Sequence, residues 1–138
     1  MDQRAAYQKE DSLDPIEFRD LLIDSTLGER RPVGDSERME IMVRNANLIV
    51  TARIDGLLVG VARSLTDFVY CTYLSDLAVR RSFQRQGIGR DLIRQTKLLA
   101  PQAKLVLLSA PAAVDYYPRI GMTRHEHCYC LDDVSALR

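Results

Sequence analysis

The run Gln84-Arg85-Gln86-Gly87-Ile88-Gly89 holds the residue types that an anion-binding turn needs. It follows a β-rich stretch of about residues 70–79. After it comes a helical pattern with Ile88, Leu92, Thr96 and Leu99 on one face, stopped by Pro101. The first amides of a helix have no intrahelical acceptor, and the macrodipole places about half a positive charge there. Gly87 and Gly89 let the backbone approach a diphosphate without interference from Cβ. Arg85 and Arg90 add full charges, with Arg81 and Arg94 further out. A helix cap without a ligand is the plain alternative. The strand before, the helix after and the surrounding cations agree on anion binding.

Two common anions fit poorly. A dinucleotide fold would carry the fuller Gly-x-Gly-x-x-Gly turn and an acid about 20 residues on, at the end of the next strand. That strand ends Leu107-Leu108-Ser109-Ala110. A nucleoside-triphosphate loop would need Gly-Lys-Ser or Gly-Lys-Thr, which is absent. The segment from Leu77 to Ile93, with Gln84, Gly87 and Gly89 at its key positions, resembles the acetyl-coenzyme A signature Arg/Gln-x-x-Gly-x-Gly/Ala of the GNAT superfamily of N-acetyltransferases. Downstream, Tyr116-Tyr117-Pro118-Arg119-Ile120-Gly121-Met122 is similar to that family's aromatic-Tyr-x-Lys/Arg-Leu/Ile-Gly-Phe segment. The stretch from Leu74 to Met122 is motif-specific; the order of elements matches more widely, from about Asp14 to Leu131.

The resemblance implies roles by position. Backbone groups of Leu77, Ala78 and Val79 would pair with the pantetheine arm like an added strand. Amides from Arg85 to Arg90, through Gln86, Gly87, Ile88 and Gly89, would hold the pyrophosphate, beside Gln84. In the family the strand before the loop splays from its neighbour through a bulge. The implied reaction is acetyl transfer from acetyl-coenzyme A to a primary amine of a small molecule or protein by direct attack. A non-catalytic acyl-coenzyme A binding or regulatory module of the same fold is the alternative.

Tyr117 matches the family's tyrosine and is thereby the candidate acid for the departing thiolate. With a reference pKa of about 10, a phenol is protonated at neutral pH and can donate. The base is less well marked. Asp76, Ser75 and Tyr73 lie on the strand expected to border the acceptor, Asp67 lies near the turn before it, and Asp76 is the choice among them. Strand alternation sets Asp76 opposite Tyr73 and Ser75 unless a bulge resets the faces. A structural hydrogen bond is the competing role for Asp76.

His125-Glu126-His127-Cys128-Tyr129-Cys130 concentrates metal-ligand types. On a strand, period 2 would split it, with His125, His127 and Tyr129 on one side and Glu126, Cys128 and Cys130 on the other. A tetrahedral site would then need partners from elsewhere. No metal is expected.

The elements that must position these groups can be read from punctuation. Asp14-Pro15 starts a helix of about residues 15–26 with Phe18, Leu21 and Leu22 apolar, and Asp35 starts another with Met39, Met42 and Val43. Runs 47–53 and 57–63, joined through Asp55-Gly56, predict a hairpin. Leu105-Val106-Leu107-Leu108 reads as a strand buried on both faces. A short helix of about Ala112–Tyr117 leads to a last strand around Thr123–Leu131. The order is strand-helix-helix, antiparallel meander, then a strand-helix-strand crossover. With the resemblance, this is an α+β (mixed α/β) fold with a mostly antiparallel, twisted sheet of about six or seven strands. A splayed parallel pair lies at the cofactor site and about four helices flank the sheet.

Composition bounds the rest. The chain has 138 residues, 46% hydrophobic and 28% charged, enough for one domain, 1–138, with a core of its own. A formal net charge of zero argues against a nucleic-acid partner. No run approaches the roughly 20 apolar residues of a membrane span, so no membrane partner is expected and the cytoplasm is the simplest address. Cys71, Cys128 and Cys130, an odd number, read as reduced and half-buried on strands. The segment from Lys9 to Glu40 carries ten acids and five bases, whereas Arg80 to Lys97 carries six bases and one acid. This polarity suits two binding surfaces of opposite sign, one for an anion and one for a cation, with two solvated helix faces as the plain alternative. The resemblance would set the acidic helices at the acceptor pocket, which implies a cationic acceptor, a small-molecule or peptide amine. A homodimer fits families of this type.

Overall fold

The structure, a computed structural model, describes residues 4–138. Two bodies divide it, one ending at Leu108 and the other running from Ser109 to Arg138.

In the first body the caps act as read. Asp14 accepts the Ile16 amide at 3.0 Å, Pro15 takes the first helical position, and α1 runs Pro15–Asp24. Asp35 accepts the Arg38 amide at 3.1 Å and α2 runs Ser36–Asn45. A 3-10 turn, Leu27–Arg30, lies between them. Strands β2 (Leu48–Ile54) and β3 (Leu57–Thr66) meet at Asp55 and Gly56, whose φ angles of 49° and 81° give the left-handed pair that a two-residue hairpin requires. Strand β4 (Cys71–Val79) follows, then α3 (Ile88–Leu99) and β5 (Lys104–Val106). Strand β1 (Ala6–Lys9) precedes both helices and pairs with β2.

The five strands lie in chain order, antiparallel except for the parallel pair β4 and β5. One face carries Phe18, Leu21, Leu22, Met39 and Val43 of α1 and α2 against Leu58 and Val61. The other carries Ile88 and Leu92 of α3 against Val50, Val59 and Ala62. Gly60 sets the closeness of that second contact. A Cβ there would lie 3.0 Å from Leu92 Cδ1 and 3.1 Å from Ile88 Cγ2, so its absence lets the first turns of α3 settle on β3.

The meander is not regular. Opposite β3, Arg63 faces Asp76 and the next residue, Ser64, faces Leu74, which leaves Ser75 as the extra residue of a bulge. The bulge reverses the faces of β4: Leu74 belongs to the cluster beneath α3, Ala78 to that beneath α1 and α2. It also sends Asp76 to the α1 and α2 side, where the carboxylate is fully buried between the guanidinium groups of Arg31 and Arg63.

Several expectations are corrected. The sheet has five strands among the described residues rather than six or seven. The run 105–108 is not buried on both faces: Leu105 and Leu107 pack on the core, whereas Val106 and Leu108 are exposed and β5 is an edge strand. In the second body the helix is displaced, with a 3-10 turn at Pro111–Ala113 and α4 at Tyr116–Arg119. Residues 123–131 form no strand. The His127 amide donates to His125 Nδ1 at 3.0 Å, a local turn that competes with extended pairing. The three cysteines are free, but all are exposed and only Cys71 lies on a strand. No helix among the described residues is long and apolar enough to cross a membrane.

Two stability tests follow from this packing. Asp76→Ala strands two guanidinium groups without their carboxylate, and urea unfolding should register a loss of about 3–5 kcal/mol, the size of a broken buried pair. Glu10 has its pKa lowered from 4.5 to about 2, chiefly by hydrogen bonds from Arg53, with burial acting the other way. Its stabilisation is therefore complete above about pH 4.5 and is lost as pH falls toward about 2. Glu10→Gln should flatten the melting temperature across that window relative to the parent chain.

Candidate active site

The parallel pairing of β4 with β5 extends only from Cys71 to Tyr73, opposite Lys104 to Val106. From Leu74 onward that edge of β4 has no strand partner among the described residues. Backbone direction there can be derived. The Arg80 amide donates to the Val59 carbonyl at 2.8 Å, so Arg80, Ala78 and Asp76 turn their hydrogen-bonding groups toward β3. By alternation Leu77 presents N–H and C=O to the open edge and Val79 its N–H, the Val79 carbonyl accepting from Gln84. Of the three strand residues expected to hold an extended ligand, two thus offer backbone groups, and Ala78 is the one turned inward.

At its end this edge runs into the glycine turn. A 3-10 turn, Arg81–Phe83, is tied to α1 by the Arg81 amide, which donates to Asp24 at 2.9 Å. Gln84 donates through its side-chain amide to the Val79 carbonyl at 2.9 Å and so braces the turn against β4. Arg85 and Gly87 then adopt left-handed conformations with φ of 65° and 85°. For arginine that geometry carries about 1–3 kcal/mol of strain, of the kind that clusters at ligand clamps. Gly87 is the N-cap of α3 and, lacking a side chain, cannot satisfy the amides of Ile88, Gly89 and Arg90.

Uncapped amides, the helix dipole and exposed Arg81, Arg85, Arg90 and Arg94 make an electropositive concavity suited to a diphosphate. Asp91 tempers it, lying 3.8 Å from Arg90 and 3.6 Å from Arg94. Tyr7 of β1 donates to Asp91 at 3.3 Å, and burial, then the Asp91 charge, pushes the phenol up to about 12. A cavity of about 250 Å³ lies on this side of the turn, lined by Arg4, Tyr7, Gln86 and Asp91 among others.

Asp76, the base singled out in the sequence, has both carboxylate oxygens engaged. Arg31 Nε donates to one and Arg63 Nε to the other. The same arginines reach further: Arg31 donates to the Ser75 carbonyl at 2.8 Å, and Arg63 to the Ser75 hydroxyl and the Met42 carbonyl, each at 3.0 Å. Neither arginine was singled out from the sequence. A signal existed for Arg63, a charge in the apolar run 57–63, matched by Asp76 in the next strand; buried charges imply partners. Tyr73 and Cys71 are exposed, and because the bulge resets the alternation they fall on the same side of β4 as Asp76; Asp67 caps the amides of Val69, Tyr70 and Cys71 at 2.8–3.1 Å.

Tyr117 belongs to the second body. Its ring stands edge-on to Tyr116, with centroids 5.2 Å apart, and burial raises its phenol pKa, with Tyr116 adding to the shift. The group is a proton donor at neutral pH. Residues 125–130 are exposed, and among the described residues no group of three or more His, Cys, Asp or Glu side chains could hold a metal ion.

The sequence pattern of the acetyltransferase (GNAT) domain matches residues 26–137. The chain is 25% identical over 130 residues to a protein named Uncharacterized N-acetyltransferase ycf52 from Pyropia yezoensis, covering 80% of this chain and 75% of that protein. Its fold is similar to that of a GNAT-family acetyltransferase from Streptococcus pneumoniae TIGR4, with a TM-score of 0.77 at 21% identity, over 94% of this chain and 97% of that one. It is similar also to aminoglycoside N-acetyltransferase AAC(6')-Iy, solved in complex with CoA, with a TM-score of 0.74 at 14% identity over 97% of each chain. A family pattern across most of the chain, set on this sheet and this glycine turn, places the protein in the GNAT family as an acetyl-coenzyme A-dependent acyltransferase.

Proposed function

We propose that the enzyme transfers acetyl from acetyl-coenzyme A to a primary amine of a small molecule or peptide by direct attack. The observation that carries this reading is the open edge of β4, which leads through the turn 80–87 to the uncapped start of α3. Backbone groups of Leu77 and Val79 would hold the pantetheine amides, and the amides from Arg85 to Arg90 the pyrophosphate. The thioester supplies the activated acetyl group.

In the transfer, the amine nitrogen attacks the thioester carbonyl. The C–N bond forms, the C–S bond breaks, and the sulfur leaves with the bonding pair. Tyr117 gives that thiolate its proton and recovers one from solvent, while the acetylated nitrogen releases its extra proton to water. The raised pKa of Tyr117 suits this role, since the phenol stays protonated at neutral pH. We give Asp76 a structural part instead of that of base, because both oxygens already accept from arginines. A free amine of pKa about 10 is mostly charged at neutral pH, so turnover should rise with pH toward that value.

The acceptor is proposed to be cationic. Exposed Asp20, Glu29, Asp35, Glu37 and Glu40 make the α1–α2 region acidic, and an aminoglycoside enzyme is among the solved proteins with this fold. The decisive assay follows free thiol released from acetyl-coenzyme A against a panel of polyamines, aminoglycosides and lysine peptides. Cofactor binding with no thiol release from any amine would favour the non-catalytic module. Gly87→Glu should abolish acetyl-coenzyme A binding by calorimetry, because it strains a φ of 85° and adds an anion at the helix start. Tyr117→Phe should lower turnover by about 100-fold or more with cofactor affinity nearly intact; an unchanged rate removes Tyr117 as the acid.

A further inference from the structure

We infer that Arg31 is a positioning residue for the cofactor slot, acting through the bulge of β4. The inference rests on the cofactor reading above and extends it to a side chain on the segment between α1 and α2. Arg31 follows the 3-10 turn Leu27–Arg30 and is anchored there by its own donation to the Arg30 carbonyl at 2.9 Å. From that anchor it reaches β4 at two points, Asp76 and the carbonyl of Ser75.

The second contact is the informative one. Ser75 is the residue that the bulge leaves without a cross-strand partner, so its carbonyl has no place in the ladder. Arg31 satisfies it at 2.8 Å. Two residues further on is Leu77, the first residue beyond the bulge whose backbone faces the open edge. The conformation of the bulge therefore sets where Leu77 and Val79 present their amides, and Arg31 holds that conformation. Arg63 alone can keep Asp76 paired, because its Nε takes the other carboxylate oxygen; it touches Ser75 only at the hydroxyl. Stability and slot geometry are thus held by different contacts. Lysine could pair with Asp76 as a point charge, but it lacks the planar fork needed to reach the carboxylate and the carbonyl together.

The test compares the full-length parent chain with Arg31→Ala and Arg31→Lys by thermal unfolding and by calorimetry with acetyl-coenzyme A. Glu17→Gln, which loosens the distant Arg53 ion pair, is the stability control. The expected result is a split. Arg31→Lys recovers most of the melting temperature lost in Arg31→Ala, yet both bind acetyl-coenzyme A about tenfold or more weakly. Glu17→Gln binds as the parent does. With acetyl-coenzyme A bound, the amides of Leu77 and Val79 should be less protected from exchange in both Arg31 variants than in the control. Should affinity track melting temperature across all three variants, or the Arg31 variants bind within twofold of the parent, Arg31 is only structural and the inference is overturned. If the parent itself fails to bind acetyl-coenzyme A, the cofactor reading falls first and this inference with it.

Discussion

Asp76 is the point on which the sheet and its first two helices depend. A carboxylate with no exposure, in an apolar strand, persists only because two guanidinium groups meet it. Those groups come from β3 and from the α1–α2 segment, and Arg63 also takes a carbonyl of α2. Four elements distant in sequence are fixed at one residue. Apolar residues in place of all three charged groups would pack as well or better in energetic terms. They could not donate to the Ser75 carbonyl as Arg31 does, however, and the bulge would then carry an unpaired, part-buried acceptor. The ionic cluster is best understood as what makes an irregular strand acceptable inside a packed domain.

From the bulge follows the shape of the edge. Strand β4 pairs with β3 along its length, but with β5 for three residues only. Parallel strands that part in this way leave a row of backbone donors and acceptors unspent, a liability on most sheets. Here the row ends at a helix start that also lacks its cap. Two deficits in main-chain hydrogen bonding lie end to end, and their polarity suits one elongated ligand with amides along its arm and a diphosphate at its end. Gly60 completes the arrangement by letting α3 approach β3 closely enough to bring that helix start to the strand's end.

What the sequence revealed and what it concealed divide by the range of the interaction. Asp14, Asp35, Asp55-Gly56 and Gly87 act within four residues of themselves, and each did in the structure what its type suggests. The bulge at Ser75 is a matter of register between two strands, and no local pattern encodes it. Strand β1 is short and mostly exposed, so no apolar alternation marks its bounds, although the order of elements opens on a strand; its pairing with β2 sets them. The run 105–108 shows the opposite failure. Continuous apolar residues suggest burial on two faces, but at a sheet edge Val106 and Leu108 remain exposed. Around His125 the side chains have strand-forming types, yet one ring nitrogen accepting an amide two residues on is enough to turn the chain.

The same division bears on how such a site can be written in sequence at all. Leu77, Val79 and the residues from Arg85 to Arg90 are proposed to bind through main-chain groups, which any residue supplies if the backbone takes the right path. Sequence is then constrained only where the path itself is demanding: at Gly87, which has a positive φ, at Gly60, where a Cβ would meet a helix, and at the arginines that hold the bulge. Such a site would place few demands on side-chain identity. It also reverses the usual weighting of a site. On the proposed reading the main-chain contacts to the cofactor are chemically replaceable, and Arg31 and Arg63 around Asp76, which hold the bulge behind them, are side chains whose chemistry the geometry requires.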